Sequence, residues 1–206
     1  MTDPFVNPIG DPGSATSPSL LERVRANETP AWERLVSLYT PLLDRWCRHY
    51  GLQEADAADI RQKVFLAVAE NIGTFRPGQA VGSFRRWLRT ITRRKVVDYW
   101  RVEAAKAAPG GSSAYEQLQH LSAPEPDDTP PGQEAEEVGL LYRRAAELIA
   151  RDFEERTWKA FVMVVIEDRR PADVAADLGV STNVVYLARS RVLRRLREEF
   201  AGLIDP

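Results

Sequence analysis

The chain has 206 residues, 44% hydrophobic and 28% charged, with 28 Lys and Arg against 30 Asp and Glu and a net charge of −2. That length supplies one or two compact domains, and the charge balance gives no overall attraction to nucleic acid or to an acidic membrane surface. A single cysteine, Cys47, excludes an internal disulfide and a CxxC metal site and fits a reducing compartment. No apolar run is long enough to span a bilayer, and the N-terminus lacks the basic and apolar blocks of a signal peptide, so a cytoplasmic protein without a membrane partner is expected.

Residues 1–17, rich in Pro, Gly, Asp and Ser, are expected to form a disordered tail, followed by a first domain over 18–107. Ser19 suits the cap of a short helix, LLERVRAN. Pro30 suits the first turn of a second helix, AWERLVSLYTPLLDRWCRHYG, in which Trp32, Leu35, Val36, Tyr39, Leu42, Leu43 and Trp46 recur at helical spacing. Pro41 inside it is expected to kink or divide it, and Gly51 to stop it. The third helix, DAADIRQKVFLAVAENIG, turns Ile60, Val64, Ala67 and Val68 inward with Phe65 at the edge, and displays Asp59, Gln62, Lys63 and Glu70 on another face.

The connection TFRPGQAVGS must cross the surface between two helices, a setting in which recognition residues tend to sit. It leads into GSFRRWLRTITRRKVVDYWRVEAAK, where Phe84, Leu88, Ile91 and Lys95, with Trp87 beside them, form one stripe expected to bury. Arg85, Arg86, Arg89, Arg93, Arg94 and Arg101 fall mostly on the remaining surface, and eight Lys and Arg stand against only Asp98 and Glu103. An anion is the expected partner of this helix. Tyr99 and Trp100 lie among the charges, and cations interleaved with flat rings suit single-stranded nucleic acid. The competing reading is a solvated basic helix whose aromatics belong to the core.

Residues 108–133, rich in Pro and Gly with acids toward the end, read as a flexible acidic linker in which Tyr115, Leu118 and Leu121 could form a docking turn. A second domain is expected over 134–200. Its first helix turns Val138, Leu141, Leu148 and Ile149 inward, and TWKAFVMVVIED is expected to be its buried centre. In RRPADVAADLGVSTNVVYLARSRVLRRLREEF, Pro171 opens a helix and Ala175 allows a close crossing. Gly179 permits a turn, Ser181 caps the next helix, and Val185 returns to the core. This is a helix-turn-helix pattern. Thr182, Asn183, Tyr186 and Arg189 stand early on the second helix, with Arg191, Arg194, Arg195 and Arg197 further on, which is the order in which a DNA-reading helix presents base-edge and phosphate contacts. The fold class expected from all this is all-α: two small helical domains joined by the linker, the second containing the helix-turn-helix.

Over roughly residues 19–200 the chain resembles the bacterial RNA polymerase sigma factors of the extracytoplasmic-function type. The resemblance implies that the third helix docks on the clamp helices of the polymerase largest subunit through Asp59, Gln62, Lys63 and Phe65, with Lys63 standing where the family usually has Glu. It implies that FRPGQAVGSFRRWLRTITRRKVVDYWR recognises and melts the minus-ten element. Phe75, Arg76, Ser83, Arg86, Arg89, Arg93, Arg94, Tyr99 and Arg101 would then face DNA, with Trp87 and Leu88 anchoring the loop and Arg94 standing where the family commonly has Asn. It implies that Ser181, Thr182, Asn183, Tyr186, Arg189, Arg191 and Arg194 read the minus-thirty-five element as duplex, with Ala188 and Arg189 in place of the family's usual Arg and Leu. The partners implied are core RNA polymerase and promoter DNA, duplex and single-stranded; an anti-sigma factor or other regulator is compatible with the resemblance. The acids Asp127, Asp128, Glu134, Glu136 and Glu137 would act as a strand mimic in the polymerase channel.

His49 and His120 have no sequence neighbours that suggest a catalytic grouping, and there is no phosphate loop or metal-ligand spacing, so no enzyme, cofactor or metal is expected. Two readings compete with the sigma factor: a free-standing helix-turn-helix regulator of duplex DNA, and a helical adaptor that binds only protein.

Overall fold

The computed structural model describes residues 18–77, 84–106, 113–122 and 132–204. All regular structure among the described residues is helical. Helix α1 (Leu20–Arg25) begins at Ser19, whose Oγ accepts from the Glu22 backbone N–H at 3.4 Å while the Glu22 carboxylate accepts from the Ser19 N–H at 2.7 Å, a closed capping box. Helix α2 (Thr29–His49) carries Pro30 in its first turn and runs undivided past Pro41, so of the kink or break expected there the break does not occur. A proline has no N–H, so the Ser37 carbonyl one turn earlier loses its helical donor. Arg144 supplies another: its Nε donates to that carbonyl at 3.0 Å, and its Nη2 reaches Ser37 Oγ at 2.7 Å. A residue 107 positions away thus satisfies the acceptor that the proline orphans.

Helices α3 (Glu54–Asn71) and α4 (Phe84–Lys106) pack on α2. The joint core takes Leu35, Leu38, Tyr39, Leu42, Leu43 and Trp46 from α2, Ile60, Val64 and Val68 from α3, and Phe84, Leu88 and Val96 from α4. Each such side chain contributes about 1.5–3 kcal/mol by leaving water. The expected docking turn is a full helix, α5 (Ser113–Ser122), laid along α4; Leu121 is buried and its carbonyl accepts from Arg93 Nη2 at 2.6 Å.

Helix α6 (Gln133–Ile149) lies antiparallel on α2. Arg45 pairs with Glu136, Trp46 with Glu137, Ser37 with Arg144, and Arg34 Nη2 donates to the Leu148 carbonyl at 2.6 Å, so the partners run in opposite order along the two helices. Leu141, Ala145, Ala146 and Ile149 extend the first core across this contact. After a single 3₁₀ turn at Ala150–Asp152, helix α7 (Glu155–Phe161) passes into one π-helical turn, Val162–Ile166. Ala160, Phe161 and Met163 are buried, but Val165 and Ile166 are exposed, so the apolar run is not wholly core. The wider turn, closed by the Glu167 N–H on the Val162 carbonyl at 3.0 Å, takes its last residues off the inward register.

Helices α8 (Pro171–Leu178) and α9 (Thr182–Glu199) complete the chain. Gly179 between them is left-handed, φ +63°, and the Val180 N–H returns to the Ala175 carbonyl at 3.0 Å. Ser181 Oγ then accepts from the Val184 N–H at 3.4 Å. A small separate cluster of Ala160, Met163, Val174, Ala175, Val185 and Ala188 holds this helix-turn-helix together. The other end of α9 joins the main core through Val192, Leu196 and Phe200, and Tyr39 Oη donates to the Leu203 carbonyl at 2.5 Å.

Candidate nucleic-acid interface

Helical periodicity divides the arginines of α4 into two rows. Arg85, Arg89 and Arg93, four residues apart, share a stripe. That stripe faces inward. Arg85, expected on the surface, is 5% exposed: Nη1 donates to Glu137 Oε2 at 2.7 Å and Nη2 pairs with Glu134. The cause is Glu137, which α6 brings against α4. Arg89 Nη1 lies 3.6 Å from Glu137 Oε1, with its guanidinium 5.6 Å from the centre of the Trp46 ring. Arg93 is held to α5 by the Leu121 carbonyl. Arg86, Arg94 and Arg101 are exposed on the flank of α4 next to that stripe. Arg86 is 3.8 Å from Glu134, and Arg101 pairs with Asp98 at 3.0 Å in a solvated contact of small energy.

The aromatics are less available than their spacing suggested. Tyr99 and Trp100 are half-buried, edge to face at 5.0 Å, and Trp100 Nε1 donates to the Tyr50 carbonyl at 3.2 Å. Burial, helped by a hydrogen bond to Asp56, pushes the Tyr99 phenol up to about 12. Phe75 is buried, stacked on Trp87 at 5.1 Å and edge-on to Phe84 at 5.2 Å, and its carbonyl accepts from Arg25. Arg76 is exposed but curls back to donate to the Gly73 carbonyl at 2.6 Å. Phe75, Trp87 and Phe84 thus form the foot of the loop. Ser83 and the loop tip at 78–83 lie outside the described residues.

On α3, Asp59, Gln62 and Lys63 are exposed together, while Phe65 is half-buried against the core. Leu66, which the sequence reading passed over, is 58% exposed beside them. Its signal was available: Leu66 falls four residues after Gln62 and outside the Ile60–Val64–Ala67 stripe. On α9, Asn183, Tyr186, Arg189, Arg191 and Arg194 are exposed, Ser181 is exposed at the cap, and Thr182 is half-buried. Val184 and Leu187 are exposed with them, giving the helix a mixed apolar and basic outer face.

Glu199 was missed and the burial of Glu137 was not foreseen; they are 3% and 0% exposed. Each occupies an inward position of its helix, Glu137 in series with Leu141, Ala145 and Ile149, and Glu199 in series with Val192 and Leu196. An acid in an apolar stripe was the signal. Of the acids assigned to a strand-mimicking linker, Glu134, Glu136 and Glu137 lie in α6 and pair with arginines, so they belong to a helix and not to the linker; Asp127 and Asp128 lie outside the described residues. Among the described residues no group of three or more His, Cys, Asp and Glu could hold a metal ion, and no helix is long and apolar enough to cross a membrane.

Residues 35–105 match the sigma-70 region 2 family. The chain is 34% identical over 95 residues to the extracytoplasmic-function RNA polymerase sigma factor BldN of Streptomyces coelicolor, an alignment that spans 46% of this chain and 35% of that protein, about a third of the relative's length. Two solved structures are similar over most of their length. The complex of CnrH with the cytosolic domain of CnrY superposes with a TM-score of 0.36 at 20% identity, covering 86% of this chain and 92% of the other. The RsbN–BldN complex superposes with a TM-score of 0.34 at 19% identity, covering 85% and 96%.

Proposed function

We propose that this chain, a sigma factor of the extracytoplasmic-function type through its region 2 segment at residues 35–105, directs RNA polymerase to promoters and starts transcription there. The match of that segment to sigma-70 region 2 is the observation that carries the reading. In this reading residues 18–107 form the region 2 domain, 134–200 a region 4-like domain, and 108–133 the connection between them. Core polymerase takes the exposed face of α3, where Leu66 gives an apolar contact inside the polar frame of Asp59, Gln62 and Lys63. Arg86, Arg94 and Arg101 offer cations to the phosphates of the minus-ten strand, and the loop standing on Phe75 and Trp87 captures an unstacked base. Helix α9 enters the major groove of the minus-thirty-five duplex with Asn183, Tyr186 and Arg189 toward base edges and Arg191 and Arg194 toward phosphates.

Run-off transcription with bacterial core polymerase on promoter fragments from the chain's own genome tests this, with Gln62→Ala as control. Specific transcripts that vanish with the control are expected. No transcript, together with no co-elution with core polymerase, would replace the reading with a free-standing helix-turn-helix regulator.

A further inference from the structure

The rotation of α9 about its own axis is fixed by its buried row. Val185, Ala188, Val192 and Leu196 recur at helical spacing and are all buried, the first two in the small cluster of the helix-turn-helix and the last two in the main core. The row turned away from them is Asn183, Leu187, Ser190 and Arg194, and all four are exposed. Gly179 and the Ser181 cap set where the helix begins. Asn183 therefore lies in its first turn and Leu187 in its second, within the part that a helix-turn-helix inserts into a major groove. Leu187 is 47% exposed and is the one apolar member of its row. Val184, also exposed, stands to the side, in the row of Arg191 and Arg195.

A single exposed leucine on a protein surface needs no explanation, but the neighbours of this one supply one. Arg189, Arg191 and Arg194 are exposed around it, and a duplex whose phosphates meet those cations brings its base edges against the row between them. Leucine has neither donor nor acceptor, so a hydrogen-bonding group that it covers loses water and gains no partner. In the major groove only thymine offers an apolar group, its C5-methyl; cytosine at the same place presents an amino donor.

We propose that Leu187 is a specificity residue of α9: it packs on the C5-methyl of a thymine in the upstream duplex element and so selects thymine over cytosine at that position. The proposal rests on the reading of α9 as a duplex-binding helix and adds to it the base that one side chain selects. Selection here comes from an apolar contact, beside the polar contacts assigned to Asn183, Tyr186 and Arg189.

For the test, the full chain assembled with core polymerase enriches duplexes from a random-sequence pool, and a fluorescein-labelled copy of the enriched duplex is titrated with the same complex. Each thymine of its upstream element is replaced in turn by deoxyuridine, which removes the methyl and keeps every hydrogen-bonding group. At one position the replacement should weaken binding about fourfold, the effect of losing one buried carbon. With Leu187→Ala, the thymine and deoxyuridine duplexes should bind alike at that position. Leu187 lies outside both buried clusters, so the substitution leaves the helix-turn-helix core intact. The proposal is overturned if no thymine is sensitive, or if the sensitive one stays sensitive in Leu187→Ala. It is equally overturned if Leu187→Ala weakens both duplexes by the same factor, which would assign Leu187 to a protein contact within the polymerase complex. A pool from which no duplex is enriched would remove the duplex reading of α9 and the proposal with it, a failure distinct from indifference to the methyl.

Discussion

Cys47 illustrates how far single residues could be anticipated. Its place beside Leu43 and Trp46 suggests an ordinary helix position, and the structure buries it completely. Loss of solvation, with the charge of Asp44 adding to it, pushes the thiol up to about 11, so almost no thiolate exists at neutral pH. Ellman's reagent at pH 8 should therefore leave the native chain unreacted and titrate one thiol after urea is added; rapid native reaction would contradict the burial. Tyr99 gives a pH counterpart. Its phenol is raised to about 12, chiefly by burial, so the stability it contributes is full below its ordinary pKa near 10 and is lost as pH rises from there through about 12. Spectrophotometric titration should show a step near pH 12 that Tyr99→Phe removes. Neither shift was legible in sequence, because both depend on neighbours from other turns and helices. Arg85 was misjudged for a similar reason: α4 alone places it on a polar stripe, and only α6 supplies the Glu137 that buries it.

Elements whose ends are set by local chemistry were the most legible. Ser19 with Glu22, Gly51 in the left-handed region, and the Gly179–Ser181 turn all stand where their residue types predict, since a cap or a positive φ needs only a few adjacent residues. Gly179 allows a quantitative check. A Cβ there would meet nothing within 4 Å, so Gly179→Ala tests the left-handed backbone alone, at φ +63°. Urea unfolding should show a loss of about 1–2 kcal/mol, the cost of that conformation for an L-residue. A loss far above this would mean that the turn also depends on packing. Pro41 marks the limit of local rules: the helix survives because Arg144 satisfies Ser37, a partner that no window around the proline contains. The π-helical turn after Phe161 likewise left Val165 and Ile166 exposed in a run whose composition pointed to the core.

At the scale of the whole molecule, the all-α class follows from periodicity, but the choice of which faces meet does not. An apolar stripe on α6 fits many partners; the antiparallel seat on α2 is selected by Arg34, Arg45 and Trp46 meeting Leu148, Glu136 and Glu137 in register. The net charge of −2 likewise conceals a segregation that exposes arginines on α4 and α9, the two helices proposed to meet DNA. Binding should therefore follow local phosphate contacts, and salt can count them. For duplex promoter DNA, the slope of log affinity against log salt should fall by about 0.9 when Arg191 is replaced by Ala, and by a similar amount for Arg194→Ala, since each lost phosphate contact retains its counterion. Arg86→Ala should leave that duplex slope unchanged and instead lower the slope for a single-stranded minus-ten oligonucleotide by about 0.7. Fluorescence anisotropy across a salt series measures both. If Arg86→Ala changed the duplex slope as much as Arg191→Ala, the two helices would share one DNA surface, and the division of duplex and single strand between α9 and α4 would have to be abandoned.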